Sequence, residues 1–422
     1  MQLQLFKWTL LPVAFVAGSL LSAQAAVAAS LGDIFVIDME NHNFTQPGSD
    51  TNAPNQIFGN VATPYQNSLI TPGDPNAAQV SYAAAYHNVL ATPSGNNPSI
   101  HPSEPNYIWQ EAGDNFGVLN DNDPFKNPGG TNQNAINLSG LLQNAGISWK
   151  SYQEDIDLAT NSQGKLTNTV LPQSQWTVPL SSVSGTSADY TNAYNGSNQY
   201  NFAAKHDGQL FFTDTNGGND PTPSNPEASH YAPLQQLSTD LANNTVGKYN
   251  LITPDQYNDS HTALTDGFTY NGVHYTGDEA ELAQGDNFLA TIIPQIMSSD
   301  AYKNNGAIVI WWDETEGKNQ NDFSHTLPEI VISPLAKGNA YESLVNYTHS
   351  SDLKSWQELF GVYGPGGGFL GDANSPDTKD LSDLFKDGAL ASPVPEPSFD
   401  LGMGIFTVLG LFLKTRKRWL SE

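Results

Sequence analysis

The chain is 422 residues long, carries 43 acidic against 16 basic side chains for a formal net charge of −27, and contains no cysteine. Such a surface repels nucleic acid and anionic lipid, because binding to either rests on Lys and Arg neutralising phosphates. Acids gathered in a cleft suit divalent cations instead, and without disulfides an exported chain relies on core burial or bound metal.

The N-terminal end reads as a secretory signal over 1–28. Lys7 precedes an apolar stretch from Trp8 to Leu21, and Ala23-Gln24-Ala25 or Ala26-Val27-Ala28 offers a small-x-small cleavage site. The stretch is shorter than the roughly 20 residues of a membrane span, which disfavours a retained anchor. Residues 29–390 read as one large α/β catalytic domain without internal repeats. Polar runs at about 46–78, 155–201 and 217–229 lack periodicity and predict long surface loops.

In chain order, the apolar run Leu31 to Ile37 predicts a strand that runs into Asp38-Met39-Glu40-Asn41. Pro233, with Leu234, Leu237 and Leu241 on one face, predicts a helix start. Lys248 to Thr253 predicts a second strand, running into Pro254-Asp255 and followed by Asp259 and His261. Leu282, Phe288, Leu289, Ile292, Ile293 and Ile296 predict a long helix kinked at Pro294. Gly306 to Trp312 predicts a third strand ending in Asp313-Glu314, with His325 in a loop before the apolar run Glu329 to Ser333. Leu353, Trp356, Leu359 and Phe360 predict a further helix, opened near His349. This alternation predicts a mostly parallel central sheet with helices on both faces. Three distant strands would then deliver acids and imidazoles to one rim, as a metal or phosphate site requires.

The C-terminal end, 391–422, carries Pro395-Glu396-Pro397, an apolar stretch from Leu401 to Leu413 broken by Gly402, Gly404 and Gly410, and then Lys414, Arg416, Lys417 and Arg418. In that order the three parts resemble a PEP-CTERM sorting tail. The resemblance implies a short transmembrane segment, transient inner-membrane association, sorting and processing machinery as a partner, and a periplasmic, cell-surface or extracellular product. The basic cluster would stay on the cytoplasmic side. A plain single-span tail anchor is the alternative.

Hydrolysis of a phosphate ester needs a nucleophile, cations to neutralise the phosphoryl oxygens, and ligands for those cations. His101-Pro102-Ser103-Glu104-Pro105-Asn106-Tyr107 resembles the nucleophile turn of the alkaline phosphatase superfamily, with Ser103 at the nucleophile position. Five further stretches follow the same pattern in order: Val36 to Phe44, Gly146 to Asp155, Thr253 to His261, Trp312-Asp313-Glu314 and Ile332-Ser333-Pro334. Together they resemble the bacterial phosphoesterase family that groups acid phosphatases with phospholipases C.

That resemblance implies an alkaline phosphatase-like fold and an exported, metal-dependent hydrolase of phosphate monoesters. Phospholipase C or another phosphodiesterase activity is the enzymatic alternative, and a non-catalytic surface protein on the same fold is the other. The substrate is a small phosphate ester or a phospholipid. By position, Glu40, Asp255, His261, Asp313, Glu314, His325 and His349 stand as metal ligands, with Asp259 competing with His261 and His349 either touching phosphate or capping its helix. Glu314 falls where many superfamily members carry His. Ser103 stands as nucleophile and Asn41 as a metal or phosphate ligand. His101 either contacts substrate or packs the turn. Lys205-His206-Asp207 resembles the family's Lys-His-Asn-Pro element, with Gly208 displacing its proline, and gives His206 a catalytic assignment. Lys150 and Glu154 are expected to pair and position a loop. Zn, Mn, Fe, Ca and Mg, one ion or two, all satisfy such oxygen and nitrogen donors.

Overall fold

The computed structural model describes residues 29–49, 56–88, 101–124, 133–316 and 324–390. The signal expected at 1–28 and the tail expected at 391–422, with its membrane segment, lie outside these residues. Among the described residues no helix is long and apolar enough to cross a membrane.

Eight strands build the central sheet: β1 (Ile34–Met39), β2 (Val80–Ala83), β3 (Trp149–Gln153), β4 (Tyr231–Pro233), β5 (Tyr249–Thr253), β6 (Ala307–Trp312), β7 (Ile330–Ile332) and β8 (Tyr341–Ser343). Their spatial order is β8-β2-β7-β6-β1-β5-β3-β4. Every neighbouring pair is parallel except the two made by β7, which runs antiparallel to β6 and β2. The expected mostly parallel sheet is therefore what forms. β1, β5 and β6 are buried along their whole length and mostly apolar, the pattern of strands covered from both sides. One contiguous apolar cluster, from Leu31 to Leu390, joins these strands to the helices around them. Each large aliphatic side chain removed from water there contributes about 1.5–3 kcal/mol.

The helices are α1 (Pro64–Leu69), α2 (Glu104–Ala112), α3 (Leu138–Asn144), α4 (Gln236–Asn243), α5 (Asp278–Met297), α6 (Asp300–Lys303) and α7 (His349–Phe360). Asp278, Glu279 and Glu281 in the first turn of α5 complement its dipole, and its apolar residues from Leu282 to Ile296 are buried. Pro294 lies inside this helix. Pro233 does not start a helix. It closes the edge strand β4, where a residue without an N–H leaves no ladder bond unmade, and α4 begins at Gln236.

Two features aim the fold at one rim. The parallel register sets the ends of β5, β1 and β6 side by side, and backbone bonds carry the ladder past them. Asp313 N–H donates to Met39 O at 3.1 Å and Glu40 N–H to Asp259 O at 2.9 Å. Above that rim lies α2, buried at all nine of its positions and packed against α7 and the 3-10 turn Gly208–Phe211. A Cβ on Gly208 would stand 2.2 Å from the Tyr107 carbonyl oxygen. That close approach explains a glycine directly after Lys205-His206-Asp207.

Candidate active site

Ser103 precedes α2 in the N-cap position, yet its dihedrals are helical (φ −62°, ψ −44°) and its side chain makes no capping bond. Its Oγ lies 3.0 Å from Glu40 Oε2 and 3.3 Å from Glu314 Oε1. Asn106 Nδ2 donates to Glu314 Oε2 at 3.1 Å, Tyr107 OH to Glu40 Oε1 at 2.6 Å, and Gln110 Nε2 to Asp38 Oδ1 at 2.9 Å. Positions 103, 106, 107 and 110 share one face of a helix. The buried helix therefore turns a polar stripe toward the acids at the ends of β1 and β6.

Glu40, Asp313 and Glu314 are 0%, 0% and 4% exposed. Burial pushes all three carboxyls well above the usual range, and repulsion among them adds to this for Glu40 and Asp313. Asn41 adopts a left-handed backbone (φ 54°) that points its N–H at Asp313 Oδ1, 3.1 Å away, while Asp313 Oδ2 is buried without a hydrogen-bond partner. His101 brings Nδ1 to 2.9 Å from Glu314 Oε1. His206 stacks on Tyr107 (ring centroids 5.3 Å, 13° between planes) with Nδ1 at 3.3 Å from Glu40 Oε1 and 3.5 Å from Asp259 Oδ2. His261 completes the group, its ring 5.6 Å from that of His206. Burial and the Lys205 charge hold His206 well below the ordinary imidazole value and bring His261 down to about 4. Both rings are accordingly neutral at physiological pH, the form that ligates metal.

These residues fit a divalent cation. Glu40, His206 and His261 each offer a donor atom, all within 4.8 Å of one another. Neither ring nitrogen of His206 has a hydrogen-bond partner, and Asp313 Oδ2 has none either. Three carboxylates this buried cannot all ionise without positive charge among them. Mixed oxygen and nitrogen donors satisfy several divalent metals.

The structure thus brings together Glu40, Asn41, Ser103, His101, His206, His261, Asp313 and Glu314, and holds Asp255 and His349 by other partners. Asp255 belongs to a second acid group with Glu154 and Asp155, where Oδ1 accepts the N–H groups of Tyr257 and Asn258. It turns away because those two donors hold it in its own loop. His349 has both ring nitrogens engaged: Nε2 lies 2.6 Å from the Asp313 carbonyl oxygen and Nδ1 3.0 Å from Tyr86 OH. It braces the end of the strand that leads into Asp313. His325 accepts His87 Nδ1 at its carbonyl and meets Ser324 Oγ with its ring, on the segment where Thr326 bonds Thr45. Lys150 and Glu154 do not pair: Lys150 reaches Asp240, while Glu154 receives Asn192, Asn258 and the Asp255 N–H. Asn106, Tyr107 and Gln110 have no role in the sequence reading, although polar residues at i, i+3, i+4 and i+7 from Ser103 were the available signal.

The profile of the phosphoesterase family matches residues 36–363. The chain belongs to this family. A phosphate-repressible acid phosphatase of Penicillium chrysogenum is 24% identical over 271 residues, 62% of this chain and 50% of that protein. A phosphatidylinositol-3-phosphatase of Mycobacterium tuberculosis is 23% identical over 329 residues, 77% of each chain. The chain spans about half the length of the acid phosphatases it matches. Among solved structures, an alkaline phosphatase superfamily protein from Vibrio parahaemolyticus aligns with a TM-score of 0.42 and 9% identity over 84% of this phosphoesterase-family chain and 71% of that one.

Proposed function

We propose that this phosphoesterase-family chain is an exported, metal-dependent hydrolase of phosphate monoesters, acid phosphatase-like, with Ser103 as nucleophile. The observation that carries the reading is the Ser103 hydroxyl: it declines the helix cap and lies within 3.3 Å of two buried carboxylates, Glu40 and Glu314. A serine kept for structure would cap α2, a bond that stabilises by about 0.5–2 kcal/mol. The acid phosphatase and phosphatidylinositol-phosphatase names of the relatives support phosphate esters as substrates. Export rests on the sequence pattern of the first 28 residues.

Glu40, Asp313 and Glu314, with His206 and His261 on the far side of Glu40, would hold the cation. Bound there, it would supply positive charge against the serine and phosphoryl oxygens. Ser103 Oγ–H donates to Glu40 Oε2, so Glu40 is placed to take the proton as Oγ attacks phosphorus. Tyr107 OH on Glu40 Oε1 and Asn106 Nδ2 on Glu314 Oε2 lock both carboxylates in rotamer, which keeps the attacking oxygen in register. His101 and Lys205 then supply donors for the phosphoryl oxygens. Departure of the ester oxygen leaves a phosphoseryl group, which water hydrolyses.

The test is turnover of an aryl phosphate, a bis-aryl phosphate and phosphatidylcholine by the full chain and by Ser103→Ala. The monoester is expected to be the fastest substrate, and Ser103→Ala is expected to lose at least about 10³-fold in kcat with an unchanged melting profile. Undiminished turnover by the variant removes Ser103 from the mechanism.

A further inference from the structure

Lys205 brings positive charge to this acidic site. Its ammonium acts electrostatically on Glu40, Asp313, Glu314, His206 and His261. It is not waiting open for an anion, because it is ion-paired with Asp121, with side-chain exposures of 16% for the lysine and 37% for the aspartate. Asp121 is tied to the start of α2. Its Oδ1 accepts the Glu104 N–H at 3.4 Å, and Glu104 Oε2 receives the neighbouring Asn122 N–H at 2.6 Å. The segment is thus pinned to the residue that follows Ser103. Glu314 and His261 also sense the Asp121 charge directly. A partly exposed carboxylate therefore stands on the ammonium an incoming phosphoryl group would seek.

We propose that Asp121 is a specificity-determining residue: its carboxylate holds the Lys205 ammonium in the free protein, yields it to the phosphoryl group, and by its own charge penalises dianionic ligands more than monoanionic ones. The proposal rests on the phosphoester reading above. Coulomb energy scales with the product of charges, so the penalty on a dianion is twice that on a monoanion, and the ratio of affinities is squared. Asp121 uses Oδ1 for the Glu104 N–H and Oδ2 for Lys205, so in Asp121→Asn the single amide oxygen keeps the ammonium and only the long 3.4 Å contact to Glu104 N–H is given up.

The experiment compares the full chain with Asp121→Asn and Asp121→Glu, all loaded with the same divalent metal. Calorimetry reads binding of inorganic phosphate, mostly dianionic at about pH 8, and of monoanionic dimethyl phosphate. Turnover of an aryl phosphate and a bis-aryl phosphate is read alongside. Asp121→Asn is expected to bind dimethyl phosphate about threefold and inorganic phosphate about tenfold more tightly, while Asp121→Glu behaves as the parent chain. Equal factors for the two anions, or weaker binding of both, overturn the proposal, since a merely structural aspartate affects both alike. A parent chain that turns over neither ester, with the binding ratio shifted as expected, overturns the hydrolase reading and leaves Asp121 in its role. Turnover with an unshifted ratio does the reverse, and no phosphate binding by any form overturns both.

Discussion

Tyr107→Phe isolates one bond of the site. Burial keeps the Tyr107 phenol protonated, and it donates to Glu40 Oε1 at 2.6 Å. The ring also stacks on His206 and meets Trp311 edge-on at 5.4 Å. Phenylalanine keeps those ring contacts and removes the donor alone. A hydrogen bond to a charged group contributes about 1.5–3 kcal/mol, and this one favours the ionised form of Glu40. Without it Glu40 holds its proton more tightly, by roughly 1–2 pH units at about 1.36 kcal/mol per unit. Glu40 must lose that proton to bind a cation, so metal binding and the acid limb of kcat/KM both move to higher pH. Below the shifted limb, metal affinity falls by about 10–100-fold, the usual effect of losing a partner that orients a ligand. The assay pairs calorimetric metal titration between about pH 5 and pH 8 with the pH profile of aryl phosphate turnover. A lowered melting temperature with an unmoved acid limb and unchanged metal affinity refutes the reasoning, leaving Tyr107 a packing residue.

Asp313→Asn halves the anionic donors that directly follow β6, and elemental analysis of the purified variant is expected to show a loss of bound metal together with a loss of rate. Burial pushes the Glu111 carboxyl up to about 8. Its protonated form is the one the fold favours, so this stabilisation is complete below the unfolded value near pH 4.3 and is lost as pH rises through about 8. Glu111→Gln keeps an acceptor for the Ser139 N–H and should gain up to about 3 kcal/mol at pH 7 and nothing at pH 4, read by denaturant titration at both. Gly285→Ala places a Cβ 2.0 Å from Ser260 Oγ, where Ser260 is buried and already left-handed at φ 79°. A cost of about 1–3 kcal/mol is expected, with lower activity because Ser260 precedes His261.

Much of this architecture is written in local pattern. Largely apolar runs at Ile34, Tyr249 and Ala307 mark strands covered on both faces, and acids at or just beyond their ends mark one end of a parallel sheet. Period and composition are properties of neighbours in the chain, so they survive without knowledge of the fold. The Glu40, Asp313 and Glu314 grouping is legible for the same reason, because parallel strands bring like ends together whatever their order, whereas Ser103 is legible only through the resemblance of its turn. Orientation is harder to read. Asp255 and His349 are of the right chemical type, but Asp255 is held by the N–H groups of its own loop, and which way His349 turns depends on partners far along the chain. Tyr86, distant in sequence, occupies one nitrogen of His349, and the Asp313 carbonyl takes the other. The stripe from Ser103 to Gln110 shows the same limit, because polar residues on a helix ordinarily read as a solvated face, and only burial of α2 between β1, β6 and α7 makes them face acids. The amino-acid order by itself determined the strands, the rim and the residue types gathered there. Tertiary packing alone decided which side chains meet, because a hydrogen bond spans about 3 Å and such proximity between distant segments is set by the whole fold.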